Sequence, residues 1–290
     1  MPVKLFDTNK NALDISFIQF SGGERHVQLG AFENRKAYVL RADLRASNDV
    51  FDLLLTADAL NQKFDQKFDN CELYIEIPYL PYARQDRVCA PGQAYSLKVL
   101  AGQLALMNNV KKIAIWDCHS TVGIDLTGAE NVPAENIIKA DPDLSAAIMD
   151  LNSVVICPDK GAVQRTRAIV NAFEKDFQPE PIVYCEKVRD PATGQITHTD
   201  VKVDSLEGRT AIITDDICDG GYTFIKVAEQ LKAKGAREVI LFVTHGIFSK
   251  GLDVFDGLID HVFTTDSFEH APDPRLTVIP YNFPFFQDQN

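Results

Sequence analysis

An α/β fold of two tandem domains, each a mainly parallel sheet flanked by helices, is predicted by three features of the chain. Short β-rich runs alternate with stretches of helical spacing, which indicates parallel βαβ layers rather than a sandwich or a helical bundle. The same grammar occurs on both sides of Asp141-Pro142-Asp143. Several of the β-rich runs empty into polar segments containing Gly, Pro or Asp, as do the ligand loops at the carboxyl ends of strands in open α/β sheets.

In the first half the expected strands are Ala37 to Leu40, Leu73 to Ile77 and Lys112 to Trp116, with helical spacing of apolar residues over Asp49 to Phe64 and Tyr95 to Met107. The second half offers strands near Ser153 to Cys157, Pro181 to Cys185, Thr210 to Thr214, Glu238 to Thr244 and His261 to Thr265. Helices are expected over Ala162 to Phe173 and Tyr222 to Lys234, the second stopped by Gly235, since glycine takes the left-handed conformation that ends helices. The domain boundary is placed near residue 145, giving domains 1–145 and 146–290.

The chain has 290 residues, 46% of them apolar, enough to build two cores. Its net charge of −12 argues against a general binder of nucleic acid or of acidic membranes, so a phosphate ligand would need local basic groups, amides or metal. Cys71, Cys89, Cys118, Cys157, Cys185 and Cys218 form no CxxC pair, and several sit in apolar runs. Reduced thiols, and hence a cytoplasmic location, are expected. No secretory leader pattern and no span-length apolar segment occurs, so no membrane partner is expected.

The most informative stretch is Ala211 to Thr223. An apolar run ends in Asp215-Asp216, then Asp219, then Gly220-Gly221 and Tyr222-Thr223 at the start of a helix. Adjacent carboxylates accept hydrogen bonds from vicinal ribose hydroxyls or hold Mg²⁺, while two glycines let backbone amides turn toward a phosphate. The helix N-terminus adds further N–H groups. A solvated turn with a helix cap suits the same residues, and taken alone the segment leaves both readings open.

Other strand ends carry chemistry as well. Pro78 to Arg87 contains Arg84, Gln85, Asp86 and Arg87, which suit a clamp on polyphosphate with a contact to a base; a loop pinned by an Arg-Asp ion pair is the alternative. Asp117-Cys118-His119 places a histidine where it would bind Mg²⁺-nucleotide phosphate or assist protonation, or stand as a structural histidine. Asp159 precedes Lys160-Gly161 at another strand end, within reach of a ribose hydroxyl or metal. Lys187 and Arg189 alternate along an extended run, where they would neutralise a transferring phosphoryl group or simply face solvent. Asp190 to Thr199 follows, a polar stretch expected to be mobile. No Walker A and no GxGxxG pattern occurs, so ATP, if used, is held another way.

In this order, from Phe20-Ser21-Gly22-Gly23-Glu24 to His245, the segments resemble ribose-phosphate pyrophosphokinases. Pro81-Tyr82-Ala83-Arg84-Gln85-Asp86-Arg87 is the most specific match. Asp117-Cys118-His119 is similar to the family's Asp-Leu-His, Pro158-Asp159 with Gly161 to its Pro-Asp-x-Gly-Gly, and Lys187 with Arg189 to its Lys-x-Arg. The resemblance implies two phosphoribosyltransferase-like domains, a homo-oligomer, and an ATP site at the junction of the halves, shared between subunits. It implies transfer of the β,γ-diphosphoryl group of ATP to the anomeric hydroxyl of ribose 5-phosphate, with Mg²⁺ required. Arg84, Gln85, Asp86 and Arg87 would then hold ATP, with Phe20 and Glu24 of a neighbouring subunit on adenine. His119 and Asp159 would serve the metal, Lys187 and Arg189 the transition state, and Asp215, Asp216 and Asp219 to Thr223 the ribose phosphate.

Two departures bear on the ligands. The family's Asp-Thr-Ala/Gly-Gly-Thr loop is here Asp219-Gly220-Gly221-Tyr222-Thr223, and Gly22 stands where an Asp is usual. If the Tyr222 position required φ > 0, tyrosine there would cost on the order of 1–2 kcal/mol, so a different loop course is expected. An aromatic ring that could stack on a base, beside a roomy double glycine, also admits ADP-ribose as acceptor. Readings of another class are a phosphoribosyltransferase that uses phosphoribosyl pyrophosphate as donor, and a non-catalytic regulatory homologue.

Overall fold

A computed structural model describes residues 1–65, 71–174, 181–189, 196–281 and 283–285, without the side chains of residues 64, 65, 187–189 and 196–198. The chain divides into two compact units, Met1–Val132 with Asn282–Asn290, and Pro133–Tyr281. Residue 145, the expected boundary, lies inside a helix of the second unit, Pro142–Met149. Its Leu144 and Ile148 are fully buried, and the helix packs on the strand that follows it.

The first unit contains β1 (Val3–Asp7), β2 (Ala12–Leu13), β3 (Ile15–Gln19), β4 (Arg25–Leu29), β5 (Ala37–Ala42), α1 (Ser47–Asp65), β6 (Glu72–Ile77), α2 (Ser96–Leu104), β7 (Val110–Trp116), α3 (Thr121–Thr127) and β8 (Glu130–Val132). One sheet has the order β2-β1-β5-β6-β7-β8, and β3 and β4 form a separate hairpin. Strands β5, β6, β7 and β8 are parallel; β1 runs antiparallel to β5. Alternation puts Leu5, Tyr38, Leu40, Leu73, Ile75 and Ile115 into one core, where Leu53 and Leu60 of α1 and Leu97 and Leu100 of α2 join them. The four short strands before Ala37 were not expected; β3 and β4 bury only Ile15 and Val27, too few apolar positions to stand out in the sequence.

The second unit contains α4 (Ala134–Ile138), α5 (Pro142–Met149), β9 (Ser153–Cys157), α6 (Val163–Ala172), β10 (Ile182–Arg189), β11 (Ile196–Val201), β12 (Thr210–Cys218), α7 (Tyr222–Ala233), β13 (Glu238–Gly246), β14 (His261–Thr265) and β15 (Leu276–Ile279). The sheet order is β11-β10-β9-β12-β13-β14-β15, parallel except for β11. Every residue of β9 is buried, as are Thr210 to Thr214, which is why these strands read as continuous apolar runs rather than alternating ones. After β9 the chain crosses to β10 on one side and later returns to β12 on the other. Such a reversal, at the carboxyl ends of β9 and β12, is the place where open α/β sheets receive ligands.

Candidate active site

In the second unit, β9 ends into Pro158-Asp159, and β12, which carries Asp215 and Asp216 near its carboxyl end, runs to Cys218 and gives way to Asp219 to Gly221 before Tyr222 and Thr223 open α7. The two strands are paired in parallel, so both loops emerge at one edge of the sheet. Asp159 caps a 3₁₀ turn at Lys160–Ala162: its Oδ1 accepts the Gly161 amide at 2.8 Å and the Ala162 amide at 3.3 Å. The following helix, α6, supplies Arg165, which no sequence signal had singled out. Its guanidinium lies 3.4 Å from Asp215 Oδ1 and 3.6 Å from Asp216 Oδ2, joining the first strand end to the second. A cation one turn into the helix after a Pro-Asp strand end is the pattern that would have found it.

Asp216 is buried and Asp215 half-buried, and Asp215 Oδ1 also accepts the Asp216 amide at 2.9 Å. Burial and the adjoining Asp216 carboxylate push Asp215 well above the usual carboxylate range, against the pull of Arg165. Two carboxylates held this way favour a ligand that brings hydroxyl donors or positive charge. Nearby thiols are not competitors: Cys185 and Cys218 are buried and pushed up to about 12, so they remain protonated. All six cysteines are free, as expected for a chain without CxxC pairs.

The loop after Cys218 leans on residues 247–251. Cys218 carbonyl oxygen accepts the amides of Ile247 at 2.8 Å and Phe248 at 3.1 Å, and Asp219 carbonyl oxygen accepts Ser249 at 3.1 Å. Gly221 is the N-cap of α7, with φ +78°. A Cβ there would stand 2.8 Å from the Phe255 ring, so glycine is required both by conformation and by space. The positive φ falls on Gly221 rather than on Tyr222, which opens α7 outside the left-handed region. Tyrosine is therefore accommodated without strain, and the residue is 63% exposed, with Lys226 Nζ 5.9 Å from the ring centroid. Having no side chain, Gly221 cannot cap the first-turn amides of Tyr222, Thr223 and Phe224, a setting in which helix N-termini receive anions. Lys187 and Arg189 lie on β10, but their side chains and residues 190–195 lie outside the described residues.

In the first unit, β6 and β7 are parallel neighbours, so the loops after Ile77 and Trp116 also share a sheet edge. Tyr82, with φ +62°, turns the chain there; its carbonyl oxygen accepts the Gln85 amide at 2.8 Å, and its hydroxyl lies 3.1 Å from Ser47 Oγ. The turn leaves Arg84, Gln85 and Arg87 exposed and Asp86 half-buried. Beyond β7, the amide of Asp117 donates to Val132 carbonyl oxygen at 2.7 Å and that of Cys118 to Asn131 Oδ1 at 2.9 Å, leaving His119 exposed. The β3–β4 hairpin carries Phe20 and Glu24 at its tip, both exposed, and Arg25 ties it to α1 through an ion pair with Asp52. A Cβ on Gly22 would fall 2.4 Å from Glu24 Oε2, so Glu24 folds over that glycine. The structure thus brings Arg84 to Arg87 and His119 to one edge of the first sheet, and Asp159 and Asp215 to Thr223 to one edge of the second.

Among the described residues no three His, Cys, Asp or Glu side chains converge on a point, and no helix is long and apolar enough to cross a membrane. The Asp159 carboxylate is a hard oxygen donor of the kind that fits Mg²⁺, which keeps several waters and completes its shell on substrate phosphates rather than in an all-protein cage; the His119 imidazole is the softer of the two donors.

Residues 134–262 match the phosphoribosyl transferase domain model. The ribose-phosphate pyrophosphokinase of Mycoplasmopsis pulmonis is 31% identical over 78% of this chain and 67% of its own length. That of Vibrio parahaemolyticus is 30% identical over 91% of this chain and 82% of its own, and that of Pyrococcus furiosus 27% over 92% and 90%. The crystal structure of phosphoribosylpyrophosphate synthetase from Mycobacterium smegmatis superposes with a TM-score of 0.74 at 20% identity, covering 94% of this chain and 88% of that one.

Proposed function

The chain belongs to the ribose-phosphate pyrophosphokinase family and is a ribose-phosphate diphosphokinase; from that premise we propose that it moves the β,γ-diphosphoryl group of ATP onto ribose 5-phosphate. The anomeric hydroxyl oxygen attacks the β-phosphorus, the bond from that phosphorus to the bridging α,β oxygen breaks, and AMP departs as the hydroxyl loses its proton. The observation that carries this reading is the β12 loop. It follows two adjacent carboxylates with a helix start whose N-cap is glycine, on a strand paired with the one that ends at Asp159.

Asp215 and Asp216, oriented by Arg165, accept the vicinal ribose hydroxyls and Asp219 serves the ribose and its metal, while the backbone of Gly220 to Thr223 receives the 5-phosphate. Arg84, Gln85, Asp86 and Arg87 bind ATP, with Phe20 and Glu24 of a neighbouring subunit on the adenine in a homo-oligomer. His119 and Asp159 would hold Mg²⁺, which would neutralise phosphate charge when bound. Lys187 and Arg189 stabilise charge on the β-phosphorus as it is attacked. Such positioning and electrostatics supply most of the rate gain in phosphoryl transfer.

A second reading, with ADP-ribose as acceptor, is favoured by one observation. Tyr222 presents its ring to solvent at the mouth of the phosphate loop, where a base attached through a pyrophosphate would stack. Incubation with ATP, Mg²⁺ and each acceptor separately, following AMP release, tests both. Release with ribose 5-phosphate alone supports the first reading and sinks the second; release with ADP-ribose alone reverses them. A phosphoribosyltransferase would release no AMP with either.

A further inference from the structure

The second face of the first sheet holds a buried polar arrangement that none of the assigned site residues uses. Strand register sets Arg41 beside Glu76 and Glu76 beside Ala114, two residues before Trp116. All three polar or aromatic members are buried: Glu76 is 3% exposed, Arg41 5% and Trp116 0%. Glu76 Oε1 accepts the Trp116 indole N–H at 3.0 Å, and the Arg41 guanidinium stands 5.0 Å from the indole ring. The same carboxylate oxygen accepts the backbone N–H of Phe283 at 2.6 Å. The Phe283 ring packs on Phe285 at 4.8 Å, and Phe285 on Tyr74 of β6 at 5.5 Å. A cavity of about 210 Å³ remains beside them, lined in part by Phe6, Val39 and the two phenylalanines.

A buried carboxylate is not the stable way to fill such a face. Desolvation opposes it, and a buried charge pair replaced whole by apolar residues is often as stable or more so, whereas removing one partner alone is costly. What the carboxylate adds is direction: it accepts two N–H groups at set angles and so fixes the indole of the last residue of β7. Asp117, the next residue, has φ +35°, and His119 follows two positions later. The path from Phe283 through Glu76 and Trp116 therefore ends at the base of the His119 loop.

We infer that Glu76 is a positioning residue for the His119 loop, and that Phe283 to Phe285 latch it from outside, making order at the ATP side depend on that segment. The inference rests on the assignment of His119 to Mg²⁺-ATP. Because Trp116 is the sole tryptophan, its fluorescence reads the latch directly, without turnover. Three full-length variants are compared with the parent protein. Glu76→Gln keeps the acceptor oxygen and should stay within about twofold in every readout. Glu76→Leu, and Phe283→Pro, which deletes the amide donor, should raise acrylamide quenching of Trp116 and increase KM for ATP about tenfold, with kcat within about twofold.

Unchanged quenching or an unchanged KM in folded Phe283→Pro overturns the latch, even if Glu76→Leu fails to fold. Loss of activity only in proportion to the unfolded fraction, followed by circular dichroism, overturns it in favour of a structural role. His119→Ala separates the two levels. If that variant binds ATP normally, the assignment of His119 fails, while the quenching result still judges the link from Phe283 to Trp116.

Discussion

Gly221→Ala strikes the point where loop conformation and packing meet. The residue has φ +78°, and its added methyl would lie 2.8 Å from Cε1 and Cζ of Phe255 and 3.5 Å from Val254 Cγ2. Holding alanine in the left-handed region costs about 1–2 kcal/mol. The Phe255 ring is 2% exposed and abuts Phe248 edge-on at a centroid distance of 6.4 Å, so it has little room to retreat. Overpacking of this kind adds about 1–3 kcal/mol, for a total loss of about 2–5 kcal/mol. Urea denaturation followed by far-UV circular dichroism measures it. A double-mutant cycle with Phe255→Leu should return the packing part, about 1–3 kcal/mol, as a coupling energy and leave the backbone part. The acceptor KM should rise as well, because the first-turn amides of α7 shift with their cap. A single-mutant loss below about 0.5 kcal/mol, or no coupling to Phe255, would refute both the left-handed cap and the contact beneath it.

Asp215 offers a test of sign. Its folded-state value lies above the ordinary 3.8, so the native state holds a proton that the unfolded chain has released, and stability falls as pH rises from about 3.8 through the raised value. Asp215→Asn should flatten urea midpoints across that window and give a more stable protein at its upper end; an unchanged pH profile would contradict the buried pair. Lys187→Ala should lower kcat by several powers of ten while ATP binding, measured by calorimetry, stays nearly intact, since the contact is made mainly in the transition state. Equal loss of binding and turnover would contradict that role.

The βαβ architecture was legible because its central strands are buried on both faces. Val154 to Cys157, Ala211 to Ile213 and Val239 to Val243 are each almost wholly inaccessible, and runs of this kind announce themselves in composition. The edges were not legible. Strand β11 pairs antiparallel with β10, and β3 pairs with β4; their registers depend on the partner strand, and β3 and β4 bury only Ile15 and Val27. Nor could the domain division be read near Asp141, because the helix beginning there lies within the second unit, with Leu144 and Ile148 buried.

Site residues followed the same rule. Asp215, Asp216, Asp159 and the Arg84 to Arg87 segment stand out because chemically dense residues interrupt apolar runs, and the order of these segments carries the family. Arg165 escaped notice since a helical arginine is common, and only the pairing of β9 with β12 brings its helix against the acidic pair. Tyr222 posed a question about backbone strain that depended on a single dihedral, and the left-handed turn proved to belong to Gly221. Glu76 looked like any strand residue, yet its hydrogen bond to Phe283 spans 207 positions of the chain. The sequence by itself determined the alternation of elements, the family and the chemical types at the strand ends, because burial and turn chemistry act locally. Tertiary structure alone decided which of those ends share an edge, which carboxylate is pushed out of its ordinary range and what holds the His119 loop, because charge, desolvation and packing act across space.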